Sequence, residues 1–178
     1  MKIIAISGSP RSGNCERLVK EALEAAQLEG AEVELVLLRK LRITRCCGDD
    51  QCYHTERCKI NDEISELMKR ISECDGMILG SPSYFNNVTG LMKEFMDRTN
   101  PYAKYQRWSN KKAAIIVVGG ATHRSLVKCA KIIKDFFWIH RINVVTTGYF
   151  LAEKPTDASQ NQKYLKKAKI IGKKLAKS

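Results

Sequence analysis

Lys2-Ile3-Ile4-Ala5-Ile6, followed by Ser7-Gly8-Ser9-Pro10-Arg11-Ser12-Gly13-Asn14, is the stretch on which the fold turns. The five-residue apolar run reads as a buried strand, and Ser7-Gly8-Ser9-Pro10 stops it. Cys15 to Leu28 then sets Leu18, Val19, Ala22 and Ala26 on one face, which predicts a helix with Asn14 as its N-cap. A strand passing through a Ser/Gly loop into a helix builds an anion site, because unpaired N–H groups and the positive end of the helix dipole face the loop. Ser7, Ser9 and Ser12 add hydroxyls, and Arg11 adds a guanidinium suited to phosphate. Gly8 and Gly13 have the spacing of a nucleoside triphosphate loop, but Asn14 and Cys15 follow where Lys and Ser/Thr are required. G-x-G-x-x-G is missing as well. These features argue against nucleotide hydrolysis and against a permanently held dinucleotide, and leave a site sized for one terminal phosphate.

Outward from this unit the alternation continues. Ala31–Leu38, Gly76–Gly80, Ala113–Val118 and Asn143–Thr147 read as strands. Glu63–Cys74, Thr89–Arg98 and Ser125–Ile139 read as helices. Near-continuous apolar strands alternating with helices imply a parallel sheet covered on both faces. Ligands of such sheets lie beyond the carboxyl ends of the strands, at the switch in strand order. The loops after the first, third and fourth strands are therefore the candidate site.

The chain has 178 residues, 44% hydrophobic and 28% charged, within the range of globular proteins. A single domain over residues 1–178 is expected, with a cysteine-rich insertion at about 44–60. No apolar run is long enough for a membrane span, and the N-terminus lacks a secretory hydrophobic region, so the expected location is the cytoplasm. Seven cysteines, an odd number, argue against a disulfide framework. The net charge of +12 is concentrated at the end, where the last 18 residues carry seven lysines and no acid. Tyr164, Ala168, Ile171 and Leu175 form an apolar stripe there, so a docked helix with solvated lysines is preferred. A basic module for nucleic acid or an acidic partner ranks lower, because the segment lacks stacking aromatics.

Two further blocks carry a resemblance. Ile4 to Asn14, and Asp75-Gly76-Met77-Ile78-Leu79-Gly80-Ser81-Pro82-Ser83-Tyr84-Phe85-Asn86 with Val88-Thr89-Gly90 and Lys93-Glu94-Phe95-Met96-Asp97-Arg98, resemble the NADPH-dependent FMN reductase-like flavoproteins. The resemblance spans about residues 1–150. It implies a flavodoxin-like three-layer sandwich, a five-stranded parallel sheet of order 2-1-3-4-5 with helices on both faces. It also implies FMN, NADH or NADPH as electron donor, and assembly as a homodimer or homotetramer. Carried onto this sequence, it assigns the FMN phosphate to Ser7, Ser9, Arg11, Ser12 and Asn14, with Cys15 adjoining at the helix start. It assigns the ring to Pro82, Ser83, Tyr84, Phe85 and Asn86, bordered by Gly119, Gly120 and Thr122. An apolar and aromatic loop suits a flat ring, and glycine permits close backbone approach.

Cys46, Cys47, Cys52 and Cys58 fall within 13 residues. The stretch is similar to the cysteine motif of the iron–sulfur flavoproteins in this group, which implies a [4Fe–4S] cluster. The spacing departs from that motif: Asp49 stands at its second Cys position, and Cys47 is extra. Zinc on Cys46, Cys52, Cys58 and His54, or a loop with no metal, are the other readings. Cys15, Cys74 and Cys129 read as small buried hydrophobes, although the helix start offers Cys15 a lowered pKa. His123 and His140 show no partner in the sequence. The expected function is an FMN-binding oxidoreductase or electron carrier whose chemistry sits on the flavin, which needs no catalytic side chain. A cluster-free FMN or quinone reductase is the alternative.

Overall fold

A computed structural model describes residues 1–178. The strands are β1 (Lys2–Ser7), β2 (Glu32–Leu37), β3 (Gly76–Pro82), β4 (Lys112–Gly119) and β5 (Asn143–Leu151). They form one parallel sheet of order β2-β1-β3-β4-β5. The helices are α1 (Asn14–Leu28), α2 (Cys52–Thr55), α3 (Glu63–Glu73), α4 (Gly90–Arg98), α5 (Asn100–Lys104), α6 (His123–Ile139), α7 (Asp157–Gln160) and α8 (Gln162–Ala176).

Successive strand residues face opposite sides of the sheet. Ile4, Ile6, Met77, Leu79, Ile115 and Val117 pack under α3, α4 and α6. Ile3, Ala5, Ile78, Ala114, Ile116 and Val118 pack under α1 and α8. Burial on both faces is why these strands read as unbroken apolar runs rather than alternating ones.

The elements form where local chemistry directs. Asp62, Thr89, Thr122 and Asn161 cap α3, α4, α6 and α8 with side-chain oxygens. Asn14 departs from the expectation: Gly13 is the extended N-cap, and Asn14 lies inside the first turn of α1. On α8 the buried set is Leu165, Ala168, Ile171, Gly172 and Leu175, so Leu165 takes the place predicted for Tyr164, which is half-buried. β5 runs four residues beyond its predicted end, because its hydrogen bonds to β4 continue to Gly119↔Leu151. No helix is long and apolar enough to cross a membrane.

Candidate functional site

β1 has β2 on one side and β3 on the other, so consecutive crossovers leave it in opposite directions and a cleft opens at its carboxyl end. The cleft measures about 200 Å³ and has four walls.

The first wall is the loop between β1 and α1, which contributes Ser9, Arg11, Ser12, Gly13, Asn14 and Cys15. Gly8 N–H donates to the Gly80 carbonyl (2.8 Å), and Thr89 Oγ1 donates to the Gly8 carbonyl (2.6 Å). Gly8 needs its bare backbone, since a Cβ there would come within 2.8 Å of Met92 Cβ. Ser9 Oγ donates to the Arg11 carbonyl (2.7 Å) and accepts from Arg11 N–H (3.3 Å), which curls the loop around its own hydroxyl. No side chain caps α1, so its first N–H groups remain available at the cleft. Arg11 is exposed and in no ion pair. Uncapped N–H groups beside a free guanidinium fit a phosphate.

The second wall is Pro82, Ser83 and Tyr84 after β3. Ser83 N–H donates to the Val118 carbonyl (2.7 Å), and Ser83 Oγ lies 2.7 Å from Ser125 Oγ. Tyr84 and Asn87 exchange two backbone hydrogen bonds of 2.9 Å. Between them Phe85 and Asn86 take positive φ (50° and 66°), closing a tight turn. The third wall is Val118, Gly119 and Gly120, and the fourth is Ala152, Glu153 and Pro155 after β5. A Cβ at Gly120 would stand 3.0 Å from Glu153 Cβ, so the glycine lets these two walls meet.

Several expected contacts are redirected. Asn14 Nδ2 donates to the Lys154 carbonyl (2.7 Å) and its Oδ1 accepts from Ala158 N–H (2.9 Å), so the amide latches the fourth wall instead of facing a phosphate. Ser7 is buried behind the loop, accepting from Ser9 N–H at 3.5 Å, and does not line the cleft. Thr122 accepts from Ser125 N–H as the cap of α6 and also lies off the cleft. Phe85 is fully exposed and neither it nor Asn86 lines the cleft, because the turn carries both outward. The Cys15 thiol is pushed up to about 12 by burial, with only partial relief from a hydrogen bond to Ser7; desolvation outweighs the helix dipole that suggested a lowered value. Cys74 and Cys129 are buried too. His123 packs at a tilt against Tyr149 (5.3 Å between centroids, 55° between planes), and His140 is a buried residue bonded to Thr99. The fourth wall follows the end of β5 at Leu151 and carries no sequence signal that marks it as part of the site. Asp157 draws it tight by accepting from Glu153 and Lys154 N–H (2.8 and 2.9 Å).

The cysteine segment lies between β2 and α3. Cys46 and Cys47 are exposed, and Cys52 and Cys58 are half-buried. Burial raises the Cys52 thiol, and neighbouring Cys58 and Cys46 raise it further. Four thiols match an iron–sulfur cluster in number and kind. They are not gathered around a common point, and no three His, Cys, Asp or Glu side chains anywhere in the chain are placed to hold a metal ion. The zinc set with His54 is not assembled either, since His54 projects as an exposed residue of α2.

The sequence matches the family described as NADPH-dependent FMN reductase over residues 1–157. An iron–sulfur flavoprotein of Methanocaldococcus jannaschii is 36% identical over 99% of this chain and 96% of its own. Among solved structures, a flavone reductase superposes with a TM-score of 0.80 at 21% identity, covering 99% of this chain. This chain spans 62% of that protein's length. The NAD(P)H:quinone oxidoreductase of Methanothermobacter marburgensis gives 0.77 at 20% identity, covering 98% and 96% of the two chains. At these identities the structural likeness speaks for the flavodoxin-like fold alone.

Proposed function

Given that this chain belongs to the NADPH-dependent FMN reductase family, we propose that it is an FMN flavoprotein that takes electrons from NAD(P)H and passes them to a small-molecule or protein acceptor. The observation that carries this reading is the cleft at the carboxyl ends of β1, β3 and β4, where the uncapped start of α1 and the unpaired Arg11 face an apolar and aromatic turn. Bound FMN supplies hydride acceptance and the division of an electron pair between successive acceptors. Ser9, Arg11, Ser12 and the first N–H groups of α1 hold the phosphate. Pro82, Ser83 and Tyr84 hold the ring, with Gly119 and Gly120 permitting close approach. The fourth wall, latched by Asn14, excludes water from the phosphate side.

A second copy seated over the exposed Tyr84 and Phe85 fits a homodimer or homotetramer. Seven free thiols fit a reducing cytoplasm. The four thiols of the cysteine segment and the name of the Methanocaldococcus relative favour a second reading. In it, Cys46, Cys47, Cys52 and Cys58 draw together around a [4Fe–4S] cluster, and the chain is an electron carrier rather than a stand-alone reductase.

The test is paired titration of the anaerobically purified protein with FMN and riboflavin, with iron and sulfide assayed on the same sample. FMN should bind more tightly than riboflavin, and Arg11→Ala should weaken FMN at least tenfold, about 1.4 kcal/mol, while leaving riboflavin unchanged. Equal affinity for the two flavins would remove the phosphate site. About four irons per chain establishes the cluster reading, and iron-free protein that oxidises NAD(P)H leaves the cluster-free reductase.

A further inference from the structure

Arg98 closes the block Lys93–Arg98, yet nothing in the FMN cleft uses it. Its side chain is completely buried, a placement arginine adopts only when paired. Nη1 donates to Asp62 Oδ2 (2.7 Å) and Nη2 to Asp62 Oδ1 (3.0 Å), a two-pronged carboxylate contact. The same two nitrogens donate to the carbonyls of Thr44 (2.6 Å) and Ile60 (3.0 Å). Asp62 in turn accepts from the N–H groups of Thr44 (2.9 Å) and Ile64 (3.2 Å). Thr44 and Ile60 are the two ends of the segment that carries Cys46, Cys47, Cys52 and Cys58, so one ion pair closes that segment at its base.

The far end of the same helix carries the phosphate loop. Thr89, the N-cap of α4, donates to the Gly8 carbonyl, and Met92 packs where a Gly8 Cβ would stand. Nine helical residues span about 13 Å and do not flex appreciably at that length. The middle of the cysteine segment rests on α5, which follows α4 directly: Tyr53 Oη donates to Asn100 Oδ1 (3.1 Å), and Tyr105 Oη donates to the Tyr53 carbonyl (2.8 Å). These latter contacts are exposed and therefore weaker.

We propose that Arg98 is a positioning residue: through Asp62 it fixes the base of the cysteine segment to the end of α4, and α4 sets the place of those thiols relative to the FMN cleft. The functional meaning of that distance rests on the flavin reading above; the clamp itself does not.

The experiment is amide hydrogen exchange on the purified full chain, with FMN affinity measured alongside. Lysine keeps the charge of Arg98 but loses the fork. In Arg98→Lys, exchange within residues 45–61 should rise at least tenfold, while α4, β3 and FMN affinity stay within twofold of wild type. The milder Asp62→Asn should show the same local pattern, and it serves if Arg98→Lys does not fold. The double variant Arg98→Met, Asp62→Leu replaces the pair with apolar bulk, which restores stability without restoring the carbonyl contacts. Exchange in 45–61 should stay raised in it even where its Tm returns. Wild-type exchange in 45–61 for a folded single variant overturns the proposal. So does an increase spread over the whole chain that follows Tm and vanishes in the double variant. Failure of wild-type protein to bind FMN removes the flavin reading and leaves the exchange results to decide the clamp.

Discussion

His140 shows how much one buried side chain can dictate. Thr99 Oγ1 donates its only proton to the Met96 carbonyl (2.7 Å), so the 3.0 Å contact with His140 Nε2 requires Nε2–H as donor. The other nitrogen, Nδ1, is then a bare lone pair, buried with no partner between Trp108 (4.8 Å, stacked) and Phe136 (4.5 Å). Protonating it would place an unpaired N–H and a charge in an aromatic pocket, and burial lowers the imidazole to about 4. An unfolded histidine titrates near 6.5, so the unfolded chain binds the extra proton first as pH falls. Stability from this site is complete above about pH 6.5 and is lost as pH falls toward 4, a change of order 3 kcal/mol. His140→Gln should flatten the Tm-versus-pH curve between pH 6.5 and 4; a curve identical to wild type would mean the acid sensitivity lies elsewhere. The sequence revealed only a lone histidine, because its partner lies 41 residues away. Asn14 teaches the same lesson at the cleft: residue type suggested a cap or a phosphate donor, but two backbone groups at 154 and 158 compete for the amide and win.

Among the elements, the pairing of α1 with α8 is the tightest helix contact. Gly172 makes it possible, since a Cβ at that position would run into the Ala22 carbonyl of α1. Neither helix can retreat, because Ala22 and Ile171 are both in the core beneath the sheet. Gly172→Ala gains about 1 kcal/mol of helix propensity but forces the helices apart, an overpacking cost of roughly 1–3 kcal/mol or more. The expected net result is a Tm lowered by several degrees, measured by thermal unfolding at pH 7; a raised Tm would show that α8 shifts without cost. The lysines of α8 reinforce the docking. Lys173 and Lys177 both reach Glu29 (3.0 and 2.9 Å), and Lys169 reaches Glu21 (3.5 Å). The helix and its docked face were legible from the stripe Ala168, Ile171 and Leu175. The role of Gly172 was not, since a helical glycine carries no signal of what backbone lies opposite.

At the scale of the whole molecule, two cores share one sheet, and the central strands β1, β3 and β4 each bury residues in both. Neither core can open without stripping one face of the same strands. The prediction is a single cooperative unfolding of residues 1–178. Trp108 is buried and Trp138 is 80% exposed, so fluorescence reports chiefly on Trp108, which donates Nε1–H to Ser72 Oγ (3.0 Å) across the α3 side. Coincident urea transitions by Trp fluorescence and far-UV circular dichroism would support one folding unit; separate midpoints would divide the chain.

The sequence by itself determined the alternation of strand and helix, both faces of the sheet, and the loop between β1 and α1. Each of these follows from residues near one another in the chain, where apolar periodicity and Ser/Gly loops act locally. Tertiary structure alone decided the fourth wall of the cleft, the tautomer of His140 and the closure of the cysteine segment by Arg98. These depend on which buried polar groups meet across separations of 36 to 144 residues. A polar side chain takes the nearest unpaired backbone group that folding delivers to it, and only the packed chain specifies which group that is.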